Sequence, residues 1–463
     1  MTRPRVVMAL MFFPRGGSSH VVRNLARFLP DSGWDVTLLT GSLGPPGKES
    51  NAETFFEGFD VHSVDYTAAL EAPDPLRADP PFHPSFEDRP AAPDRVFAKV
   101  DDETYEHLVT TWQQALAEAG AADADLLHLN HLTPMHEAAI RSFPDVPRIG
   151  HLHGTEMLML RDITEGAPAG WQYAETWAER LRRWAQASAK LFVLSTDAAK
   201  RVPPLLGVGP ERVVAAPNGF DPELFDRRPL TGEDRVALWR EWLVDDPRGW
   251  QPGDEPGSIA YNETDLGAFR DGPVLVYVGR YTEVKRIPLL IRAYARARER
   301  FDRRVPLVLL GGYPGEFEGE HPQTVIEEIG VEDVFITGWR SHNDLAIGLN
   351  AADVVVLPSV HEQFGQVLTE GMACGLPVIA VNNHGPATIV DDGETGLLVP
   401  SDDEDAMVEA LVRIVTDDEE RRRMGETAYR RSRERYSWPA LAERVAEVYD
   451  DVVRSADAPP TLT

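Results

Sequence analysis

The chain has 463 residues, a formal charge of −29 and 43% hydrophobic residues with ten tryptophans, long enough for two cores and apolar enough to fill them. Such an acidic balance excludes nucleic acid and anionic membrane surfaces as non-specific partners, since both are repelled. The single cysteine, Cys374, excludes an internal disulfide and a cysteine zinc site and suits a reducing cytoplasm.

In chain order, residues 6–13 predict a first strand buried on both faces, too short and too poorly flanked to be a membrane span or a cleaved leader. Pro14-Arg15-Gly16-Gly17-Ser18-Ser19 is the turn after it, and the Gly16-Gly17 backbone can approach a diphosphate closely. Val21, Val22, Leu25, Ala26 and Leu29 recur at helical spacing, and residues 35–39 supply a second strand. Strand, glycine turn, helix, strand opens a doubly wound α/β domain, whose ligands bind at the carboxyl ends of the strands. A dinucleotide fingerprint is missing: only two glycines stand where three are needed, and no acidic residue follows the second strand.

Residues 42 to about 102 are rich in proline and acid and are expected to form an irregular insertion lying over the first domain through Phe55, Phe56, Tyr66 and Phe82. A helix over 105–117 precedes a strand ending in the polar groups Asn130 and His131. Asp123-Ala124-Asp125 comes before that strand, not after it, which disqualifies it as a metal-binding Asp-x-Asp. The next strand ends in His151-Leu152-His153-Gly154, where alternation puts both histidines on one face. An amphipathic helix over 171–188 and a strand over 191–195 follow. Residues 227–271 form a second irregular insertion at the domain boundary, containing Trp239, Trp242 and Trp250; a partner subunit and the acceptor are open alternatives for what it contacts.

The second half repeats the pattern. A strand over 274–278 runs into Gly279-Arg280, with Lys285 five residues on and a helix over 287–298. Arg280 offers a planar fork for phosphate oxygens and Lys285 a mobile point charge; lysine is scarce here, with five among 46 basic residues. Arg286 adds to the same local field. A strand over 305–310 and the strand-and-loop run 334–340 follow. Then comes the apolar strand Asp353-Val354-Val355-Val356-Leu357-Pro358 and the stretch His361-Glu362-Gln363-Phe364-Gly365-Gln366-Val367-Leu368-Thr369-Glu370-Gly371-Met372-Ala373-Cys374-Gly375-Leu376-Pro377. Here a helix begins near Gly365, so the amides of Phe364, Gly365 and Gln366 lack intrahelical acceptors and suit hydroxyls or phosphates. Glu362 and Glu370 bracket that start. Ser437 and Pro439 open a last helix with Trp438, Leu441, Val445, Val448 and Val452 along one seam.

Two glutamates separated by seven residues, with Phe-Gly after the first and Gly-Met-Ala-Cys-Gly-Leu-Pro after the second, resemble the donor-site motif of the retaining glycosyltransferase family 4. The resemblance is strong over about 273–400, weaker over 1–40 and 148–225, and nearly absent in the insertions. It implies a GT-B fold, an α/β architecture of two Rossmann-like doubly wound domains facing a central cleft. The expected organisation is an acceptor-side domain over 1–225, a donor domain over 226–435, a helix over 436–455 crossing back to the first domain, and a tail over 456–463. The implied reaction moves a sugar from a nucleotide sugar, UDP- or GDP-linked, to an unidentified small-molecule, glycan or lipid-linked acceptor. Configuration is retained, with neither metal nor cofactor; a homo-oligomer is left open.

By the same resemblance Arg280 and Lys285 would neutralise the departing diphosphate, and Glu362 with the amides of Phe364, Gly365 and Gln366 would hold sugar hydroxyls. Glu370 would hold the ribose, Gly338 and Arg340 would line the base pocket, Gly16 and Gly17 would face the phosphates, and His153 would contact the donor sugar. Gln366 departs from the aliphatic residue usual in the family. The rival readings are a phosphorylase or sucrose-type transferase of the same fold, and a non-catalytic protein that binds nucleotide or carbohydrate.

Overall fold

Short runs of valine, leucine and isoleucine, alternating along the chain with helical segments, can bury their backbone only as parallel strands covered on both faces. The computed structural model, which describes residues 3–88, 93–270 and 272–457, contains two such sheets. One comprises β1 (Arg5–Leu10), β2 (Asp35–Ser42), β3 (Val61–Asp65), β4 (Leu126–Asn130), β5 (Arg148–His151), β6 (Lys190–Val193) and β7 (Val213–Ala215), in the order β3-β2-β1-β4-β5-β6-β7. The other comprises β8 (Leu275–Val278), β9 (Leu307–Leu310), β10 (Val334–Gly338), β11 (Val354–Leu357), β12 (Val378–Val381) and β13 (Gly396–Val399), in the order β10-β9-β8-β11-β12-β13. All pairings are parallel. Each sheet reverses its winding once, between β1 and β4 in the first and between β8 and β11 in the second, and such a switch point opens a crevice at the strand ends.

The chain divides into two compact units, Met1–Asn218 with Trp438–Thr463 and Gly219–Ser437. The passage falls at Asn218-Gly219, seven residues before the expected boundary at 225. In the first unit the alternation of β1 feeds two cores: Val7, Ala9 and Met11 join one, and Val6, Met8 and Leu10 the other. The last helix, Trp438–Asp457, closes the second of these with Trp438, Leu441, Val445, Tyr449 and Val452. Each such side chain contributes roughly 1.5–3 kcal/mol on burial. Trp34 reinforces the contact by donating its indole N–H to Asp450 at 3.1 Å. Ser437, expected to cap this helix, instead donates its hydroxyl back to the Arg433 carbonyl at 2.7 Å.

Two expectations for the insertions change. The first is not wholly irregular, because β3 lies within it and extends the sheet in register with β2, Leu38 opposite Val61. Its Phe56, Tyr66 and Phe82 are buried. The second contains the helix Gly232–Arg240, and Trp239, Trp242 and Trp250 are all buried in their own unit. Trp239 stacks on Phe269 at 5.2 Å and Trp250 on Tyr281 at 5.8 Å. Those tryptophans are therefore core, not a surface for a partner or an acceptor. The expected tail lies, from residue 458 on, outside the described residues.

Candidate active site

In the second unit the loops after β8 and β11 meet at the switch point. Val360 donates its N–H to the Val284 carbonyl at 3.0 Å and the Ser359 hydroxyl donates to the same oxygen at 3.3 Å, so the two loops are laced together. That lacing sets Lys285 beside Glu362, and the Lys285 ammonium donates to the Glu362 carboxylate. Both side chains are about one-fifth exposed, at 19% and 20%, so the pair is reachable from solvent. Arg280 ends β8 with an exposed side chain, while its carbonyl accepts from the Tyr277 hydroxyl at 2.8 Å. The Tyr277 hydroxyl titrates above its usual range, first through burial; Glu362 raises it further and Arg280 opposes this, so both charges act on one spot. Arg286 does not join them. Its guanidinium is turned to Asp402, at 2.6 Å.

Gly365 precedes the helix Gln366–Ala373 with φ of 91°, a left-handed backbone that a side chain would strain. Among the described residues no acceptor is found for the amides of Phe364 and Gly365. Phe364 offers only backbone, because its ring is buried against Tyr436 at 6.0 Å. Glu370 lies on the same helix, 3% exposed. Burial pushes its carboxyl up to about 7, opposed by the Gln366 amide, which donates to it at 3.2 Å. Gln366 also reaches the Gly219 carbonyl at 3.4 Å, so the residue that departs from the family pattern braces Glu370.

The two residues expected at a base pocket both pack against the second insertion. The Arg340 guanidinium is buried and donates to Asp246 Oδ2 at 2.8 Å and to the Trp242 carbonyl at 3.0 Å. It thus anchors the second insertion. Gly338 lies against the same segment, so close that a Cβ there would meet the Arg248 carbonyl at 2.0 Å. A sequence shows that an arginine follows a strand but not which way it turns.

In the first unit Gly16, φ 72°, caps the helix Gly17–Phe28, and both glycines are exposed at the end of β1. Histidines fill the neighbouring strand ends. Asn130 Nδ2 donates to the Ala9 carbonyl at 3.2 Å, so its amide oxygen faces His153 Nε2 at 2.9 Å. That oxygen only accepts, which puts the His153 proton on Nε2 and leaves Nδ1 as a lone pair. Burial, then the neighbouring His151, His131 and His128, holds the His153 ring well below the usual histidine range. His151 stacks on it at 4.5 Å and meets His128 Nε2 through Nδ1 at 3.1 Å. His128 in turn bonds the Tyr449 hydroxyl of the last helix, and burial lowers it to about 3. Glu156, fully buried, accepts from the His153 amide at 3.2 Å and lies 3.4 Å from His131 Nδ1.

Of the predicted residues, the structure brings Lys285, Glu362, Phe364, Gly365, Gln366 and Glu370 into one locality, with Arg280 beside it. His153, Gly16 and Gly17 stand at the strand ends of the first unit. Sequence reasoning missed Asn130, His131, Glu156 and Tyr449 as members of the histidine network. The polar end of β4 was the available signal.

Comparison with known proteins gives the family and the fold. Residues 262–431 match the family described as Glycosyl transferases group 1, and residues 15–224 match Glycosyltransferase Family 4. A D-inositol 3-phosphate glycosyltransferase from Saccharomonospora viridis is 31% identical over 297 residues, 61% of this chain and 67% of that protein. The chain belongs to glycosyltransferase family 4. Another D-inositol 3-phosphate glycosyltransferase, from Corynebacterium glutamicum, is 35% identical over 209 residues, 44% of this chain; there the match spans about half the relative's length, 49%. The solved structure of Anabaena HepE in complex with UDP and glucose shares the GT-B fold, with a TM-score of 0.62 at 18% identity over 96% of this chain and 99% of that one. Glu362 and Glu370 lie on the loop and the helix after β11.

Proposed function

We propose that this protein transfers a hexosyl group from a nucleoside diphosphate sugar, UDP-linked before GDP-linked, to an acceptor hydroxyl with retention of configuration and without a metal. One observation carries the reading: a lysine and a glutamate in contact, with an exposed arginine and two unpartnered amides beside them, at the switch point of a parallel sheet. Such a cluster is stable as an ion pair when empty and divides its partners when a donor arrives. Lys285 turns from Glu362 to a diphosphate oxygen, Arg280 meets a second, and Glu362 is released to accept from a sugar hydroxyl. The amides of Phe364 and Gly365 donate to the phosphate or to further hydroxyls. Glu370, held by Gln366, takes the ribose hydroxyls. His153, neutral and with Nδ1 open, accepts from a hydroxyl of the sugar. The bond from the anomeric carbon to the diphosphate breaks as the acceptor oxygen bonds on the same face, and the leaving phosphate takes the acceptor proton. The solved HepE complex with UDP and glucose supports the donor class, and the family itself supports the reaction class.

The test is thermal unfolding with UDP, GDP and their sugar conjugates. A true ligand at 100 times its Kd stabilises by about 2.7 kcal/mol, and proton NMR of the product then gives its anomeric configuration. Absence of stabilisation by every nucleoside diphosphate, or an inverted product, overturns the reading.

A further inference from the structure

The buried histidines of the first unit have a fixed number of protons to share. His128 and His151 are 0% and 2% exposed, and burial, with His128 and His131 adding to it for His151, holds both rings below the usual histidine range. Each is therefore neutral and carries a single N–H. His151 Nδ1 lies 3.1 Å from His128 Nε2, and one proton must lie between them, because two lone pairs or two N–H groups facing each other would repel. On its other side His128 presents Nδ1 to the Tyr449 hydroxyl. The three side chains thus form one directed chain in which a single choice fixes every proton.

Two directions exist. In the first, Tyr449 donates to His128 Nδ1, His128 donates from Nε2 to His151 Nδ1, and His151 keeps its proton on Nε2. In the second, His151 donates from Nδ1, His128 donates from Nδ1 to the Tyr449 oxygen, and the phenol proton is left over. The first is favoured twice. A phenol gives a proton to an imidazole nitrogen more readily than a neutral imidazole N–H gives one to a phenol oxygen. Among the described residues His151 Nε2 has no partner and the Tyr449 hydroxyl has only His128, so the first direction leaves one polar atom unpaired and the second leaves two, each at a cost.

This chain ends against the residue expected at the reacting sugar. The His151 ring lies nearly parallel to that of His153, at 4.5 Å and 19°. Phe192 packs on all three members, 5.6 Å from His128, 5.5 Å from His151 and 6.5 Å from Tyr449, and Trp34 stands edge-on to Tyr449 at 5.0 Å. Packing holds the rings in place, and the hydrogen bonds fix their planes. Tyr449, on the last helix and without contact to His153, therefore sets the surface on which His153 rests.

We infer that Tyr449 is a positioning residue for the transfer: through His128 it sets the tautomer and plane of His151, and so the orientation of His153. The inference rests on the transferase reading, which gives His153 its contact with the donor sugar. Nitrogen-15 NMR of the histidine side chains in the full chain, with His128 and His151 assigned by substitution, reads the tautomers without any donor. Both rings are expected to carry their protons on Nε2. Tyr449→Phe, which keeps the ring and its packing, is expected to move the nitrogen signals of both and to lower kcat about tenfold for acceptor-free hydrolysis of the nucleotide sugar that thermal unfolding identifies, with the Kd for UDP unchanged. Trp34→Phe removes the indole donation to Asp450 on the same helix but leaves the chain whole, so it should lower the unfolding midpoint and leave tautomers and turnover as they were. A wild-type His151 protonated on Nδ1, nitrogen signals unmoved by Tyr449→Phe, or an equal loss of turnover in Trp34→Phe overturns the assignment. If the wild type hydrolyses no nucleotide sugar, the transferase reading and the role in transfer fall together, while the NMR signals still judge the chain.

Discussion

At the ends of β8 and β11 the protein gathers a lysine, an exposed arginine and two glutamates, whereas at the ends of β1, β4 and β5 it gathers histidines, an asparagine and aromatic rings. The two sheets are wound alike and switch direction at equivalent points, so topology alone does not set this difference. Charge placed in a partly exposed cluster is ready for a polyanion. Neutral imidazoles in a buried one are ready for hydroxyls, because burial disfavours their protonated form. One architecture thus presents two chemistries.

The largest test of that contrast is Lys285→Ala. Removing a cation that meets developing phosphate charge is expected to lower kcat by about a thousandfold, near 4 kcal/mol, with the unfolding midpoint nearly unchanged. An effect on stability alone would demote the Lys285–Glu362 pair to a structural ion pair.

The next test uses pH, since Glu370 and His128 respond with opposite signs. Glu370 titrates near 7 in the folded protein through burial, above the range of an unfolded glutamate, so its stabilising contribution is complete below about pH 4.5 and is lost as pH rises through about 7. His128 titrates near 3 through burial, below an unfolded histidine, so its contribution is complete above about pH 6.5 and is lost as pH falls towards 3. The effects are about 3 kcal/mol for Glu370 and about 5 kcal/mol for His128. Hydrogen exchange between pH 4.5 and 6.5, compared with the unaltered protein, should show Glu370→Gln removing a loss of protection from the second unit as pH rises, and His128→Asn removing part of a gain from the first, where the buried His151 and His153 share it.

His153→Ala comes third, with an expected loss of about thirtyfold in kcat/KM, near 2 kcal/mol. Asn130→Asp should cost less than that, because an anion beside Nε2 still fixes the tautomer. Smallest is Arg340→Met. It removes the anchor of the second insertion and should lower stability by about 1–2 kcal/mol without changing the Kd for UDP. A weakened Kd would return Arg340 to the base pocket.

Much of the second unit was legible because its elements obey local rules: a β-branched strand, a positive-φ glycine and a helix stopped by Gly375 and Pro377 need no distant partner to be read. The helix Ile287–Arg298 falls at the bounds expected from pattern. What escaped depended on distant contacts. β3 carries His62, Ser63 and Asp65, too polar to declare itself, and becomes a strand only because β2 offers an unpaired edge. Trp239 and Trp250 sit among acidic and proline residues that resemble a solvated loop, and only tertiary packing buries them. The histidine network joins residues more than three hundred positions apart, His128 to Tyr449, a distance at which spacing carries no signal.

The helix Trp438–Asp457 has a consequence for how the molecule is made. It supplies a wall of the core beneath β1 and β4, yet it is translated only after the whole of the second unit. The first unit must therefore wait on the ribosome with an unfinished, sticky surface until that helix is made, and a fragment ending at residue 218 should bind hydrophobic dyes until a peptide of that helix is added.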